Sequence, residues 1–478
     1  SKSSLFTEVP FDYTHEEKPF IDYYRENLLL HKYSQNGPIA ISAEIDNNGL
    51  DDIFFGGNSQ LPGTLFYQKE PGQFIKKNLS GTQKHEDAGA EFIDINKDGY
   101  PDLYTMSGSN EFELTSGLYQ DHIYLNDGNG NLTEAKGLLP ESNIPGSALC
   151  LIDIDNDGAK DIFRAGAVLP GQFPEVGQSY LLLAKNKGFQ KIELGNLGLV
   201  TDATAIDYNQ DGWEDLVVVG EFMSPTLFIN KNGKLEKETD FIDRLGLWQS
   251  IASEDLDNDG FEDLVIGNIG RNYRYSFSPE KPFEYHELDL TEKGKTEYIH
   301  SYFQGNTRYF IPARDELIRQ YPYLRSLFPN YSSYAESNAE NYIKKAPVLS
   351  AKYMESVILW NRKGEGFDIE VLDQEVQKSQ ANAILLDDIN RDGKKDILIA
   401  GNDYSAEPTN SGYAEGTKST LLINNGERDF SWQSNQESGV WLSGNITDLL
   451  FLNKDSELPL ILVTKSQDKA SLYQYSPQ

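Results

Sequence analysis

One cysteine, Cys150, is all that 478 residues provide. A single thiol excludes an intramolecular disulfide, so oxidation does not brace this fold. The residue sits in the apolar run ALCLIDI, where it reads as a small buried hydrophobe. Bound metal is left to take the stabilising role instead. Long apolar stretches are also missing. No run reaches the length of a membrane-spanning helix, and no secretory leader is visible, so Ser1 reads as the start of a processed or trimmed chain. Basic residues are few beside acids, 42 Lys and Arg against 75 Asp and Glu, for a formal charge of −33. With no basic patch, nucleic acid is excluded as a partner and adhesion to an anionic membrane surface is disfavoured. Histidines number six. His31 and His85 are too few to suggest a metal triad, and the chain carries no GxSxG, HExxH or P-loop signature.

What the chain does have is one acidic pattern, written six times: EIDNNGLDDI from Glu44, DINKDGYPDL from Asp94, DIDNDGAKDI from Asp153, DYNQDGWEDL from Asp207, DLDNDGFEDL from Asp255 and DINRDGKKDI from Asp388. Oxygen side chains at positions 1, 3, 5 and 9, with glycine at 6 for a sharp turn, are what a hard divalent cation requires. The beginning is that of an EF-hand, but the closing acid comes at position 9 and a β-branched run follows it instead of a helix. The pattern predicts about six Ca²⁺ sites. Their side-chain ligands would be Glu44, Asp46, Asn48 and Asp52; Asp94, Asn96, Asp98 and Asp102; Asp153, Asp155, Asp157 and Asp161; Asp207, Asn209, Asp211 and Asp215; Asp255, Asp257, Asp259 and Asp263; and Asp388, Asn390, Asp392 and Asp396. The position-7 carbonyls of Leu50, Tyr100, Ala159, Trp213, Phe261 and Lys394 would complete each set. The third and fifth loops, all carboxylate, are expected to bind most tightly. A fully ligated calcium has no open position and is a weak Lewis acid, so the role expected is structural.

From Glu44 to Asp255 the loops recur roughly every 50 residues, the signature of a repeat architecture. Each period contains a small apolar strand before the loop, a buried strand after it, then a hairpin with Asn and Gly at its turn. Four strands per period, radially repeated, predict an all-β, seven-bladed β-propeller over residues 1–478. The seventh inner pair is TDLLFLNKDSELPLILVTK. In its decayed loop Asn453 and Asp455 survive, while Ser456 replaces glycine and Pro459 replaces the closing acid. Its missing outer strand is expected from the N-terminus, residues 4–11, which would leave no open sheet edge.

The interval from Asp255 to Asp388 holds an insertion, residues 271–353, between the second and third strands of the fifth blade. It predicts an extra hairpin whose centre (Asp289, Thr291, Lys293, Gly294, Glu297) resembles one more decayed repeat, with no outer hairpin to complete a blade. Helical segments should follow, with Leu317, Tyr321, Leu324 and Phe328 on one face and a break at Pro322. Its many aromatics exceed what short helices bury, so some should pack onto the ring.

The loops and their flanking strands resemble FG-GAP/VCBS repeats, found in integrin α-subunit propellers and in secreted bacterial proteins. Segments such as HKYSQNGPIA, EDAGAEFIDINKDGYPDLY, IGNIGRN and RDELIRQYPYLRSLFPNYSSYA are similar to the bacterial group related to the ASPIC/UnbV family. That resemblance implies a calcium-binding propeller exported to the cell envelope, whose relatives often sit near outer-membrane nutrient-uptake systems and include lipoproteins. Lipid anchoring through a removed N-terminal cysteine and simple secretion both stay open. The resemblance implies protein partners in the envelope, and it carries over no catalytic motif.

Calcium loops joining first and second strands would share one rim. The opposite rim holds the variable loops, where function tends to reside on a rigid scaffold. Candidates there are His31 with Lys32, His85 with Glu86 and Asp87, Glu111, Asp202, Trp248 with Gln249, Arg271 with Arg274, and Tyr404. They read as a polar ligand pocket at the channel mouth, with Trp248 or Tyr404 as a stacking platform for a sugar or peptide, or else as interblade contacts filling the channel. Two functions follow as expectations: a non-enzymatic binding or scaffold component at the bacterial surface, or a lectin or carbohydrate-active enzyme using this rim.

Overall fold

The computed structural model describes residues 5–475 apart from 27, 83, 115, 240, 289–297, 344, 407–413, 455 and 457. Among these residues are eight antiparallel sheets, seven of four strands and one of five, with only short helices. Seven sheets share one plan, in which an acidic or decayed loop joins the first two strands and spatial order follows chain order. The seventh departs only in its last strand: Phe6–Val9 pairs with Ser471–Tyr475, Phe6 opposite Tyr475 and Val9 opposite Leu472.

Burial explains why each run forms its strand. Along the first strand Gly146–Ile152 every second side chain is buried, so Ala148, Cys150 and Ile152 pack between sheets. Second strands are buried throughout because both their faces are covered, and apart from their opening aspartate they are mainly apolar, as in Asp52–Phe55, Asp161–Gly166 and Asp396–Ala400. Fourth strands such as Gln73–Asn78 are largely exposed. The first strands Ala40–Ala43, Asp87–Ile93, Gly146–Ile152, Leu199–Ile206, Ser250–Glu254, Ala383–Asp387 and Ile446–Leu452 each lie against the next. Ile446–Leu452 also lies against Ala40–Ala43. Apolar clusters fill the spaces between neighbouring sheets, for example Phe163 and Leu181 against Val200, Leu216 and Val218.

The fifth sheet is interrupted between Asp263–Gly267 and Val357–Asn361, which pair with Leu264 opposite Leu359. The intervening chain contains more than the expected hairpin. Leu349–Ala351 returns to pair with Phe283–Glu287, and Tyr298–Gln304 and Thr307–Phe310 extend the other edge into a complete four-stranded sheet. A three-residue strand has no periodicity to read, and its pairing depends on a partner more than sixty positions earlier. The proposed decayed loop, Asp289, Thr291, Lys293, Gly294 and Glu297, lies outside the described residues, as do Ser4 and Asp455.

A helix over Arg314–Gln320 stops before Pro322, which opens a 3-10 turn over Pro322–Arg325. Leu317, Tyr321, Leu324 and Phe328 are all buried, against Ile299 and Phe310. Phe283 and Tyr285 pack with Phe173 and Phe222 from the third and fourth sheets and with Leu29 and Leu30 of the N-terminal segment. The inserted sheet is thereby seated over strand ends remote from the acidic loops.

Acidic loops and the central cavity

The six acidic loops share one hydrogen-bonded frame. Position-4 residues Asn47, Lys97, Asn156, Gln210, Asn258 and Arg391 have φ between 55° and 61°, and the glycines at position 6 have φ between 84° and 94°. Two left-handed residues separated by one turn the backbone back over the first acid. That acid then accepts backbone N–H groups from positions 5 and 6: Asp207 Oδ1 from Asp211 at 3.1 Å and Oδ2 from Gly212 at 2.9 Å, with the same pair at Asp94, Asp153, Asp255 and Asp388. At the first loop Glu44 accepts from Gly49. The position-5 side chain accepts the N–H of position 7, as Asp98 does from Tyr100 at 3.0 Å.

The closing acid at position 9 is buried in every loop. Asp215 Oδ2 accepts the N–H of Tyr208 at 3.1 Å, and its Oδ1 accepts that of Asn230 in the third strand at 2.6 Å. Equivalent bonds hold Asp52, Asp102, Asp161, Asp263 and Asp396. These acids therefore staple the loop to the sheet whatever else they ligate. Burial pushes their carboxyls up, to about 7 at Asp52 and Asp263 and about 6 at Asp161, Asp215 and Asp396; the backbone donors oppose it. A cation beside them would favour the ionised form.

The donor set fits a hard cation in three loops. Carboxylate oxygens of Glu44, Asp46 and Asp52, of Asp153, Asp155 and Asp161, and of Asp255, Asp257 and Asp259 lie within 4.8 Å of one another in each group. Asp46 Oδ1 and Asp155 Oδ1 are buried with no hydrogen-bond partner among the described residues. Lys69 and Lys185 reach the other oxygen of each, and Arg428 lies 2.8 Å from Asp257 Oδ2, so side-chain cations already answer part of the charge. In the second, fourth and sixth loops position 3 is asparagine. Its amide donates to the position-5 carboxylate, Asn96 to Asp98 at 2.9 Å, Asn209 to Asp211 at 3.1 Å and Asn390 to Asp392 at 3.3 Å. Those loops satisfy internally some of the acceptors that the other three leave for metal.

A second repeated residue escaped the sequence reading. Asn126, Asn230, Asn361 and Asn424, each at or near the end of a third strand, are buried, and their amides bridge two sheets. Asn361 Nδ2 donates to the carbonyl of Glu262 in its own sheet at 3.2 Å and to that of Tyr208 in the preceding acidic loop at 3.0 Å. Asn126, Asn230 and Asn424 repeat the bridge to Ile45, Ile154 and Leu256. The signal was present as HIYLN, TLFIN, VILWN and TLLIN, but asparagine beside a hairpin turn is expected for turn geometry alone.

Between the first strands lies a cavity of about 500 Å³. Among the residues lining it are Glu91, Asp202 and Asp448. Burial pushes these three carboxyls up, to about 7 at Glu91 and Asp448 and about 6 at Asp202. Asp202 also accepts the N–H of Ile251 in the next sheet at 2.9 Å. His31 and Glu86 share this lining with Glu221, a residue without a repeat phase to announce it. His31 Nε2 lies 2.9 Å from Glu221 Oε1, and its Nδ1 is 2.9 Å from the Lys32 carbonyl. Burial opposes the charge on His31, but Glu221 outweighs it and pushes the pKa up to about 9.

The remaining rim candidates do not converge. Trp248 is 0% exposed, packed among Val219, Leu227, Ile251 and Ile266, with its Nε1 donating to the Met223 carbonyl at 3.0 Å. It is a core residue and no stacking platform, because apolar side chains of the fourth and fifth sheets enclose it. His85 is buried and stacked on His122 with centroids 4.2 Å apart. Arg271 is exposed and ion-paired with Glu355 at 3.0 Å, and half-buried Tyr404 donates its hydroxyl to Glu415 at 2.9 Å. Glu111 accepts a hydrogen bond from Ser59 at 3.2 Å.

By sequence, the FG-GAP-like repeat matches residues 45–105 and 207–266, stretches that run through four of the acidic loops. No curated protein matches the chain. Similar solved structures include an Agrocybe aegerita lectin that recognises non-reducing terminal N-acetylglucosamine, with 12% identity and TM-score 0.46 over 84% of this chain and 79% of that one. The V. cholerae biofilm matrix protein Bap1 has 12% identity and TM-score 0.36 over 93% and 88%. Saccharomyces cerevisiae Sqt1 has 11% identity and TM-score 0.44 over 95% and 99%. FG-GAP-like repeats and mostly four-stranded antiparallel sheets together are consistent with a propeller.

Proposed function

We propose that this chain is a calcium-stabilised, seven-bladed β-propeller that acts as a binding scaffold, not an enzyme, at the bacterial cell surface. The observation that carries the calcium reading is the convergence of three carboxylates in each of the first, third and fifth loops, with buried oxygens at Asp46 and Asp155 lacking hydrogen-bond partners. The blade count is supported by seven sheets of one plan whose first strands neighbour each other in order, and closure by the pairing of Phe6–Val9 with Ser471–Tyr475. The surface setting is supported by the calcium concentrations such loops require, which are found outside cells, and by the resemblance to exported bacterial repeat proteins.

A structural role for the metal leaves partner binding to the other face, where the N-terminal segment and the insertion are built onto the repeat. The partner class is an envelope protein, a transporter complex being the one the resemblance implies. Among the described residues no helix is long and apolar enough to cross a membrane. Affinity capture from native envelope, with and without chelator, tests the scaffold reading. Specific calcium-dependent recovery of membrane proteins is expected, and recovery of none overturns it. Calorimetric titration of chelator-treated protein tests the metal reading, which falls if no calcium binds.

A further inference from the structure

Five of the six histidines lie close to a carboxylate: His15 to Glu17 at 2.9 Å, His31 to Glu221 at 2.9 Å, His85 to Asp87 at 3.2 Å, His122 to Glu134 at 3.2 Å and His286 to Glu284 at 3.3 Å. His300, in the strand Tyr298–Gln304 of the inserted sheet, has no such neighbour among the described residues. It is 0% exposed, and neither ring nitrogen makes a hydrogen bond. It stands directly opposite Tyr285, with ring centroids 4.3 Å apart. Phe283 of the same sheet at 6.0 Å, Phe173 of the third sheet's loop at 6.0 Å and Phe222 of the fourth sheet at 6.3 Å complete an aromatic shell. A buried imidazole enclosed by rings, with both nitrogens idle, is stable only while it is neutral.

This shell is the seam where the insertion meets the repeat. Phe283 and Tyr285 belong to one apolar cluster with Leu30, Val168, Leu199, Phe222, Leu247 and Ile269, and those six residues also line the cavity. Burial is the largest force against a proton on His300, and the charges of His31 in the N-terminal segment and His286 on the adjacent strand add to it, bringing the imidazole down to about 3. Only the Leu28 backbone favours the proton, and it does so without hydrogen-bond geometry. The acids of the packed elements are engaged elsewhere. Glu221, next to Phe222, takes His31, Tyr33 and Gln249. Glu26 accepts the Phe173 N–H at 2.8 Å, and its charge acts on Tyr285. Glu284 holds Arg308 and His286 on the opposite face of the inserted sheet. The phenols of Tyr33 and Tyr285 are pushed up by burial and stay neutral.

We propose that His300 makes the inserted sheet an acid-released cover: a proton on its imidazole detaches that sheet from the third and fourth sheets and uncovers the apolar side of the cavity. The docked state holds His300 neutral, whereas in the detached state the ring regains its ordinary value near 6.5. The detached state therefore binds the extra proton at acid pH. Docking is complete above about pH 6.5, weakens as pH falls below that value and reaches its full loss near pH 3. The cover goes beyond the scaffold reading and requires neither calcium nor a partner.

Hydrogen exchange of the full chain, followed by mass spectrometry from neutral pH downward and corrected for the intrinsic rate at each pH, reads the cover directly. Excess calcium is kept throughout, so that titration of the acidic loops is opposed. Peptides spanning Tyr298–Gln304 and Leu349–Ala351 should lose protection by about tenfold per pH unit below pH 6, while those spanning Asp161–Gly166 and Asp215–Met223 keep theirs. In His300→Phe, which fills the aromatic shell and cannot take a proton, the inserted strands should stay as protected at acid pH as at neutral pH. Equal acid-induced loss in wild type and His300→Phe would assign the effect to carboxyl titration and overturn the proposal. Loss in the inserted and repeat strands together, as in global unfolding, would overturn it as well. His300→Leu provides the same comparison if phenylalanine does not fit the shell.

Discussion

The side-chain amide of Asn230, in the third strand of the fourth sheet, donates to the carbonyl of Ile154 in the acidic loop of the third sheet at 3.0 Å. The same amide reaches Glu214 at 3.1 Å, and the Asn230 backbone N–H donates to Asp215 at 2.6 Å. One asparagine thus couples a loop, its neighbour's loop and the sheet between them. Asn230→Ala leaves two buried carbonyls unpaired and should cost about 2–3 kcal/mol in denaturant unfolding. The third sheet has Ala184 where the second, fourth, fifth and sixth have asparagine, with its N–H on Asp161 at 2.6 Å, so Ala184→Asn is the natural reverse test and should be neutral or stabilising.

Positions 5 and 9 of one loop should separate by condition. Asp215→Ala strands two buried N–H donors and should destabilise by about 3 kcal/mol even in chelator. Asp211→Ala, exposed and confined to its own loop, should cost less than about 1 kcal/mol in chelator, with its larger effect appearing as lost calcium stabilisation. Thermal melts of both variants with and without calcium check the pattern.

Calcium affinity should follow the chemistry of position 3. Asp155→Asn and Asp257→Asn should each weaken binding at their own loop, roughly tenfold, by replacing a charged oxygen with an amide that can turn to a neighbouring carboxylate. Asn209→Asp should strengthen the fourth loop by removing the hydrogen bond that the Asn209 amide donates to the Asp211 carboxylate at 3.1 Å. Competition against a calibrated chelator measures all three.

The His31–Glu221 pair should stabilise over a defined pH window. His31 titrates at about 9 in the folded protein, above its unfolded value near 6.5, so its contribution is complete below about pH 6.5 and lost as pH rises through 9. Burial opposes the charge on Glu221, yet His31 and the hydrogen bonds from Gln249 and Tyr33 lower its pKa. Its share is present above its unfolded value and lost as pH falls through the folded one. The stability difference between wild type and His31→Gln/Glu221→Gln should therefore be largest between about pH 4.5 and 6.5, shrink as pH rises from 6.5 to 9, and be gone above that. A difference that stays flat from pH 6.5 to 9.5 would contradict the assignment.

Much of this protein was legible before any coordinates. The acidic loops, the paired strands around them and the outer strand supplied by Phe6–Val9 rest on local patterns of a few residues each, which chain chemistry alone makes readable. The buried face Leu317, Tyr321, Leu324 and Phe328 was visible for the same reason. Trp248 was not: an indole near a strand entrance reads equally as platform or core, and only the residues packed around it decide. Leu349–Ala351 was missed because three residues carry no period.

By itself the sequence determined the repeat, the position of every acidic loop and the residue types offered to a cation, since glycine, carboxylate and β-branched residues act within one turn or one strand. Tertiary structure alone decided which acids are left without donors. Glu44, Asp94, Asp153, Asp207, Asp255 and Asp388 look alike in the chain, yet partners three to six residues away or one sheet away settle how much charge each loop leaves for metal. His31 and Glu221 share no motif and are brought together only by the folding of the N-terminal segment against the fourth sheet. Their pairing is a matter of burial and contact, and neither exists until the sheets have packed.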